Sequence, residues 1–304
     1  MDSQRSLSLR SWAELFLIAL FWGGSFLANR LALDSVGVHA VVAARCLGAC
    51  AILWVVVLAR GYAVPRSPRI WVGFMVLGIL NNVLPFSLIT WAQLSVPSGL
   101  AAILNASTAI FGVLVAALVF GDERLSRRRL AGVLTGFVGV VIVIGPDVLH
   151  RLDLTSLAQI ALLGAALSYA FAGAFGRIAT RGIAPVVAAA GMLTFSAAIS
   201  VPLMLWTEGL PVLPTPTAAA ALAYLAAIST AAAYLLYYRL LSTAGAGNTS
   251  LVTLLVAPIA ITLGALVLDE TLPLRAFAGF AALGLGLLIL DGRIFSRVRA
   301  RAAR

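Results

Sequence analysis

The sequence predicts an all-α integral membrane protein in which ten transmembrane helices form two inverted five-helix repeats. Three observations lead to this prediction: the apolar composition, the succession of apolar runs, and a repeat of fixed spacing. Of the 304 residues, 62% are apolar and 11% are charged, whereas about a quarter of the residues of a soluble domain are charged. This composition excludes an ordinary water-soluble fold.

Ten apolar runs, separated by Gly, Pro or Arg clusters, are the predicted spans. Each can cross a hydrocarbon layer of about 30 Å, although the fifth is short for this. We expect helices because backbone groups in lipid must be satisfied internally and the runs lack the alternation of membrane β-strands. Along the chain the runs cover 11–29, 38–59, 70–91, 98–120, 130–144, 157–178, 185–206, 217–241, 248–268 and 274–290.

The distribution of arginine predicts the orientation of these spans. All 21 basic residues are Arg. With a cytoplasmic N-terminus, the tails and even-numbered connections hold 17 of them, whereas the opposite side holds three. The positive-inside rule therefore predicts that both termini lie in the cytoplasm. The expected location is the bacterial inner membrane, which the chain crosses several times. The first run has no convincing small-residue cleavage site, so we interpret it as a retained helix.

When the sequence is aligned with itself at an offset of 147 residues, several charged residues and glycines match. The matching residues are Asp122-Glu123 with Asp269-Glu270, Arg30 with Arg177, Gly132 with Gly279, and Gly139 with Gly286. Because five helices per half is an odd number, the second half must enter the membrane from the opposite side. This predicts one repeat over residues 1–146 and an inverted repeat over 147–304, with a substrate site between them near the midplane.

The motifs together resemble a known family of carriers. The first helix contains Phe-Trp-Gly-Gly-Ser-Phe at 21–26 followed by Arg30, the second contains Arg45, and an acidic turn follows the fourth and ninth. These residues resemble the EamA family of the drug/metabolite transporter superfamily, and within it most closely the aromatic amino-acid exporter branch. The resemblance covers essentially the whole chain. It implies a ten-helix carrier of small metabolites, often an exporter of amino acids.

The small multidrug branch of the same superfamily has a first-helix Glu eight residues before a basic residue. Here the residue eight before Arg30 is Trp22, and the residue eight before Arg177 is Tyr169. Both halves therefore replace the carboxylate with an aromatic residue, which argues against a cationic-drug carrier of that type.

Polar and aromatic side chains inside the spans are candidates for the substrate site. Asn81, Asn82 and Pro85 interrupt the third run. In the eighth run, Ser229 and Thr230 occupy the positions of Asn82 and Val83 shifted by 147 residues. Such groups need partners in the protein interior, although each can also serve only to hydrogen-bond neighbouring helices. The predicted cavity suits neutral or amphipathic solutes with an apolar side chain. The predicted substrate-binding residues are Trp22, Asn82, Phe86, Asn105, Tyr169, Ser229 and Tyr234.

Other residues in or near the spans have competing interpretations. For Arg45 we favour a structural role over carboxylate binding, because its side chain can snorkel or bind a helix end. Glu14 is interpreted as solvated, and the acidic pairs as caps of the helices that follow them. Trp91, Tyr237 and Tyr238 are assigned to the interfacial aromatic belt. Cys46 and Cys50 are interpreted as inert core thiols.

The sequence predicts no catalytic residue, metal site or cofactor, and therefore no enzyme. The absence of Lys excludes a Walker A loop and a lysine Schiff base, and the Arg distribution does not fit nucleic-acid binding. We expect a monomeric secondary transporter, with a lipid bilayer and a small-molecule substrate as partners, that exports amino acids or similar small, mostly neutral or aromatic metabolites by alternating access. The alternative is a broad-specificity drug or toxic-analogue exporter; uptake of a scarce metabolite, a membrane enzyme acting on lipids and a structural protein have less support. No acid lies deep within a span, so transport without obligatory proton antiport is expected.

Overall fold

The computed structural model describes residues 8–96, 98–123, 125–153, 156–268 and 274–291. Within these ranges the chain is helical and contains no β-strand. Asp269 and Glu270, the second predicted acidic turn, lie outside the described residues. The helices of the first half are α1 (Leu9–Gly23), α2 (Ser25–Leu33), α3 (Val38–Ala59), α4 (Pro68–Gly78), α5 (Leu84–Ala92), α6 (Ser98–Ala106), α7 (Thr108–Val119) and α8 (Arg127–Ile144).

A short 3₁₀ helix, Pro146–Arg151, connects the two halves. The helices of the second half are α9 (Leu157–Ala179), α10 (Pro185–Thr207), α11 (Pro216–Ala226), α12 (Ala233–Ala244), α13 (Ala246–Thr249), α14 (Val252–Leu268) and α15 (Leu274–Asp291). The second half follows the order of the first, but one continuous helix, α9, stands in place of α1 and α2, and the short α13 stands in place of α6.

Seven segments of the described chain are long and apolar enough to cross a membrane. They confirm an all-α membrane protein. The other three predicted spans correspond to α8, which begins with three arginines, and to the shorter apolar helices Ala246–Ala260 and Leu274–Leu290. The seven segments are Leu9–Leu33, Val38–Ala59, Pro68–Ala92, Leu100–Val119, Leu157–Ala179, Pro185–Thr207 and Pro216–Ala244.

Two of these segments contain a π-helical turn near their middle. The turns are Ile79–Val83, between α4 and α5, and Ala227–Ala232, between α11 and α12. A π turn leaves backbone carbonyls without their usual helical partners, and such groups must find other donors inside a membrane protein. The single hydroxyl proton of Tyr234 is shared between the Asn82 side-chain oxygen at 2.6 Å and the Asn81 carbonyl oxygen at 3.1 Å. The carbonyl oxygen of Ser229 accepts the Trp22 indole N–H at 2.9 Å. Side chains of other helices therefore hold both turns in the interior.

Glycines join α8 of the first half to α15 of the second. A Cβ atom added to Gly139 would lie 2.9 Å from the carbonyl oxygen of Gly279, and one added to Gly132 would lie 2.9 Å from that of Gly286. Gly279 and Gly286 are the 147-residue equivalents of Gly132 and Gly139. Gly139 thus contacts the equivalent of Gly132, and Gly132 contacts the equivalent of Gly139. A two-fold axis between the two helices produces this exchange of contacts.

Glu123 joins the two halves at one end of the bundle. The Glu123 carboxylate accepts from the backbone N–H groups of Ala246 and Gly247 at 2.9 and 2.8 Å, from Arg129 Nη2 at 3.1 Å and from Arg177 Nη1 at 2.7 Å. Glu123 therefore caps α13 of the second half. The sequence had suggested a different helix, α8, which follows Glu123 directly. The start of α8 is instead capped by Ser126, whose side chain accepts from the backbone N–H of Arg129 at 3.2 Å.

A second acid joins helices at the opposite end. The Glu208 carboxylate, after α10, accepts from the backbone N–H groups of His39 and Ala40 at the start of α3, at 2.8 and 3.0 Å. At each end of the bundle, the two connections that these acids join are ones predicted to lie on the same side of the membrane. Helices that cross the membrane in alternating directions require this arrangement.

Glu14 departs from its predicted solvated position. Its side chain is only 9% exposed, and its carboxylate lies 3.3 Å from Nε of both Arg10 and Arg239. The interpretation as a solvated acid is wrong, because α12 packs against α1 and brings Arg239 to this carboxylate.

Candidate functional site

An interior cavity lies between the two halves. It comprises about 830 Å³ of space free of protein atoms, counting space open to solvent. Helices of both halves line it, with α1–α3 and α5–α7 on one side and α9 and α12–α14 on the other. A site enclosed by helices of both halves is where an inverted-repeat carrier binds its substrate.

Aromatic rings form one wall of the cavity. Trp22, Tyr234 and Tyr237 pack against one another with ring centroids 5.8–6.4 Å apart, and Phe86 and Tyr169 line the same space. Such a wall offers ring faces and edges to an apolar or aromatic group of a solute.

Polar atoms without partners border the same cavity. Asn29, Asn105 and Thr108 line it and are at most 7% exposed. Asn29 Oδ1, Asn105 Oδ1 and Thr108 Oγ1 have no hydrogen-bond partner within the described ranges. Buried polar atoms are almost always hydrogen-bonded, so these three side chains lack the partners that such groups normally have.

Arg45 also lines the cavity, and of the described lining residues it alone is charged. It is 6% exposed, so it does not snorkel to the membrane surface. Its Nε donates to Thr230 Oγ1 at 2.7 Å, and its Nη2 donates to Ser229 Oγ at 3.2 Å. Its guanidinium carbon lies 3.7 Å from the centroid of the Phe86 ring. The π turn of the eighth predicted span thus holds the guanidinium group in the interior.

The cavity brings together five of the seven predicted substrate-binding residues and leaves two behind its wall. Trp22, Phe86, Asn105, Tyr169 and Tyr234 line it. Asn82 and Ser229 have no exposed surface. Asn82 accepts the Tyr234 hydroxyl proton at 2.6 Å and donates to Ser196 at 2.8 Å, and Ser229 binds Trp22 and Arg45 as described above. These two residues position the wall and do not form its surface.

Sequence reasoning missed several residues of the lining. Tyr237 was assigned to the membrane interface, but it is 8% exposed and lines the cavity, and Tyr238 is 2% exposed; both assignments are wrong. The available signal was the spacing from Tyr234, because residues three apart share a helix face. Asn29 lies seven residues after Trp22, two helical turns along the same face, and was also overlooked.

Comparison with known proteins identifies the family. The model of the EamA-like transporter family matches this chain twice, over residues 11–145 and 156–290. The chain belongs to the EamA-like transporter family. The chain is therefore a membrane transporter, whose partners include the lipid bilayer and a small-molecule substrate, and its two matches reproduce the two-repeat layout of that family.

Individual relatives of this EamA-like transporter are distant. "Uncharacterized inner membrane transporter YedA" of Escherichia coli is 25% identical over 218 residues, which are 71% of this chain and 69% of that protein. "Protein PagO" of Salmonella typhimurium is 28% identical over 129 residues, which are 41% of this chain and 42% of PagO. "Probable terminal-alkyne amino-acid exporter" of Streptantibioticus cattleyicolor is 29% identical over 137 residues, 45% of each chain.

A solved crystal structure shares the fold of this EamA-like transporter. It superposes with a TM-score of 0.74 at 18% sequence identity, and the match covers 94% of this chain and 98% of the other. The helical arrangement described above is thus one that a crystallised protein adopts.

Proposed function

We propose that this protein is a secondary transporter that exports amino acids or similar small, mostly neutral or aromatic metabolites. The observation that carries this proposal is the cavity between the halves, which combines an aromatic wall with buried polar atoms that lack partners. An amphipathic metabolite fits such a lining because it offers an apolar group and hydrogen-bonding groups together. The relative named as an amino-acid exporter supports the same substrate class.

Alternating access of the two halves is the proposed mechanism. The proposed repeats are residues 1–146 and 147–304, inverted relative to each other, with the substrate site at their interface. The exchanged glycine contacts of α8 and α15 support a two-fold relation between them. The transporter acts as a monomer in the bacterial inner membrane with both termini in the cytoplasm, a topology that the arginine distribution favours.

Counterflow into proteoliposomes tests the proposed substrate class. Vesicles containing the purified protein and an excess of one unlabelled amino acid are given the same amino acid, labelled, outside. We expect transient accumulation of neutral amino acids with apolar or aromatic side chains, and none in protein-free vesicles. Accumulation of lipophilic drugs but of no amino acid would overturn the proposal in favour of the broad-specificity drug exporter.

The same vesicles test the coupling. Among the described residues that line the cavity there is no Asp, Glu or His, the side chains that commonly carry protons in membrane proteins. We therefore expect an imposed pH gradient to leave the steady-state uptake of a neutral amino acid unchanged. Concentrative uptake driven by the gradient and lost in Glu14→Gln would contradict transport without obligatory proton antiport.

Removing the ring of Tyr169 is expected to weaken substrate binding without unfolding the protein. Tyr169 lines the cavity, and an aromatic contact contributes about 0.5–1.5 kcal/mol beyond area burial, so Tyr169→Ala should raise the half-saturation concentration at least about twofold. Trp91→Ala is the matched control, because Trp91 is 44% exposed and lies outside the lining. Equal transport kinetics in the two variants would remove Tyr169 from the substrate site.

A further inference from the structure

Arg45 has an uncompensated charge in the interior. The guanidinium group keeps its proton at any accessible pH, and a buried charge is stable only when it is paired or well hydrogen-bonded. Its hydrogen-bond acceptors are the two neutral hydroxyls of Ser229 and Thr230, and it stacks on the ring of Phe86. Arg45 forms no ion pair with any acid in the described part of the chain. The described residues therefore supply no counter-charge for Arg45.

Arg45 lines the cavity and keeps donors that the described residues do not use. A guanidinium group has five N–H donors in a planar fork, and the protein uses Nε and one donor of Nη2. Nη1 has no acceptor among the described residues, and Arg45 belongs to the lining. The fork matches a carboxylate, which can accept two parallel hydrogen bonds. Ser229, Thr230 and Phe86 fix the group in position before any ligand arrives.

Acceptors for a positive group lie in the same cavity. The side-chain oxygens of Asn29 and Asn105 are buried and without partners in the described ranges. The Asn29 amide nitrogen donates to Gln93 Oε1 at 3.3 Å, and Gln93 in turn donates to the Phe26 carbonyl at 3.2 Å. These two hydrogen bonds orient the Asn29 amide and leave its oxygen as an acceptor. An amide oxygen accepts from an ammonium group without carrying a charge of its own.

We infer that the cavity binds the zwitterionic head of an α-amino acid, with Arg45 as the residue that holds the carboxylate and with Asn29 and Asn105 accepting from the ammonium group. The inference rests on the proposed function and specifies its substrate chemistry. The aromatic wall then receives the side chain. A carboxylate is required under this arrangement, because a cation without one would face Arg45 and be repelled. This reverses the structural role that the sequence favoured for Arg45.

Matched probes test the inference in the counterflow assay. L-phenylalanine and L-leucine are compared with 2-phenylethylamine and 3-methylbutylamine, which keep the side chain and the ammonium group but lack the carboxylate. 3-Phenylpropanoate lacks the ammonium group. We expect the wild-type protein to exchange the amino acids at least about tenfold better than the amines, since a hydrogen-bonded charge contributes about 1.5–3 kcal/mol.

Variants assign this selectivity to individual residues. Arg45→Gln is expected to raise the half-saturation concentration for the amino acids about 10- to 100-fold without impairing exchange of the amines. Arg45→Lys is expected to be intermediate, because it keeps the charge but loses the fork. Asn105→Ala is expected to weaken the exchange of L-phenylalanine more than the exchange of 3-phenylpropanoate. Arg30→Gln is the control, because the Arg30 side chain is 54% exposed and pairs with Asp34 on its own helix end.

The outcomes separate this inference from the proposed function. Unchanged amino-acid kinetics in Arg45→Gln, or an equal loss for amino acids and amines, would overturn the carboxylate role while the wild-type protein still exchanges amino acids. Failure of the wild-type protein to exchange any amino acid would overturn the proposed function and the inference with it. If Arg45→Gln does not fold, three other measurements test the carboxylate role. They are the preference of the wild-type protein for amino acids over amines, the kinetics of Arg45→Lys, and the selectivity of Asn105→Ala.

Discussion

Glu123→Gln is expected to lower the free energy of unfolding by about 3–5 kcal/mol, the range found when one partner of a buried charge network is removed. Glu123 is 6% exposed, and its carboxylate accepts from Arg129, Arg177 and two backbone N–H groups of α13. A Gln side chain keeps the size but directs an amide nitrogen at these donors. It also leaves the buried Arg129 without its ion-pair partner. Unfolding in mixed micelles of increasing dodecyl sulfate content measures the change.

Asp34→Asn is the control for this experiment. Asp34 pairs with Arg30 at 3.8 Å at the protein surface, where its side chain is 61% exposed. Exposed ion pairs contribute about 0–1 kcal/mol, so this substitution should hardly change the unfolding midpoint. A Glu123→Gln variant as stable as Asp34→Asn would show that the network does not stabilise the junction between the halves.

Gly139→Ala is expected to destabilise the protein by about 1–3 kcal/mol through overpacking. The added Cβ would lie 2.5 Å from the backbone nitrogen of Leu283 and 2.9 Å from the carbonyl oxygen of Gly279. Both are backbone atoms of α15, so no side-chain rotation relieves the contact and the two helices must separate. The clash outweighs the gain of about 1 kcal/mol in helix propensity that Ala normally brings. The thermal midpoint in detergent, followed by size-exclusion chromatography, reports the change.

Gly284→Ala supplies the comparison for α15. A Cβ at Gly284 meets no atom within 4 Å, so only the gain in helix propensity remains and the midpoint should stay or rise. If Gly139→Ala raises the midpoint as much as Gly284→Ala does, close packing of α8 on α15 does not contribute to stability.

Residue type and spacing could predict the fold class and much of the cavity. Asn81 and Ser229, polar residues in the middle of apolar runs, indicated where the interior lies because lipid offers them no partner. The structure finds both in π turns whose carbonyls bind Tyr234 and Trp22. The 147-residue repeat likewise selected Gly132 and Gly279, and these glycines lie in the α8–α15 interface.

Contacts between distant helices could not be predicted, because spacing along one helix does not identify its neighbours. Glu14 looked solvated near a chain end, but α12 brings Arg239 to it. Arg45 looked able to snorkel, but the hydroxyls of Ser229 and Thr230 hold its side chain in the interior. Asn29 was overlooked because the residues that complete its surroundings lie on other helices.

The pairing of α8 with α15 also constrains the order in which the protein folds during synthesis. Equivalent positions of the two helices are 147 residues apart, and ribosomes add about 5–20 residues per second. Roughly 7–30 s therefore pass between the synthesis of the glycine-containing face of α8 and that of α15. During that time α8 exposes Gly132, Gly136 and Gly139 to lipid, so a nascent chain that stalls before α15 is open to capture by membrane chaperones and proteases.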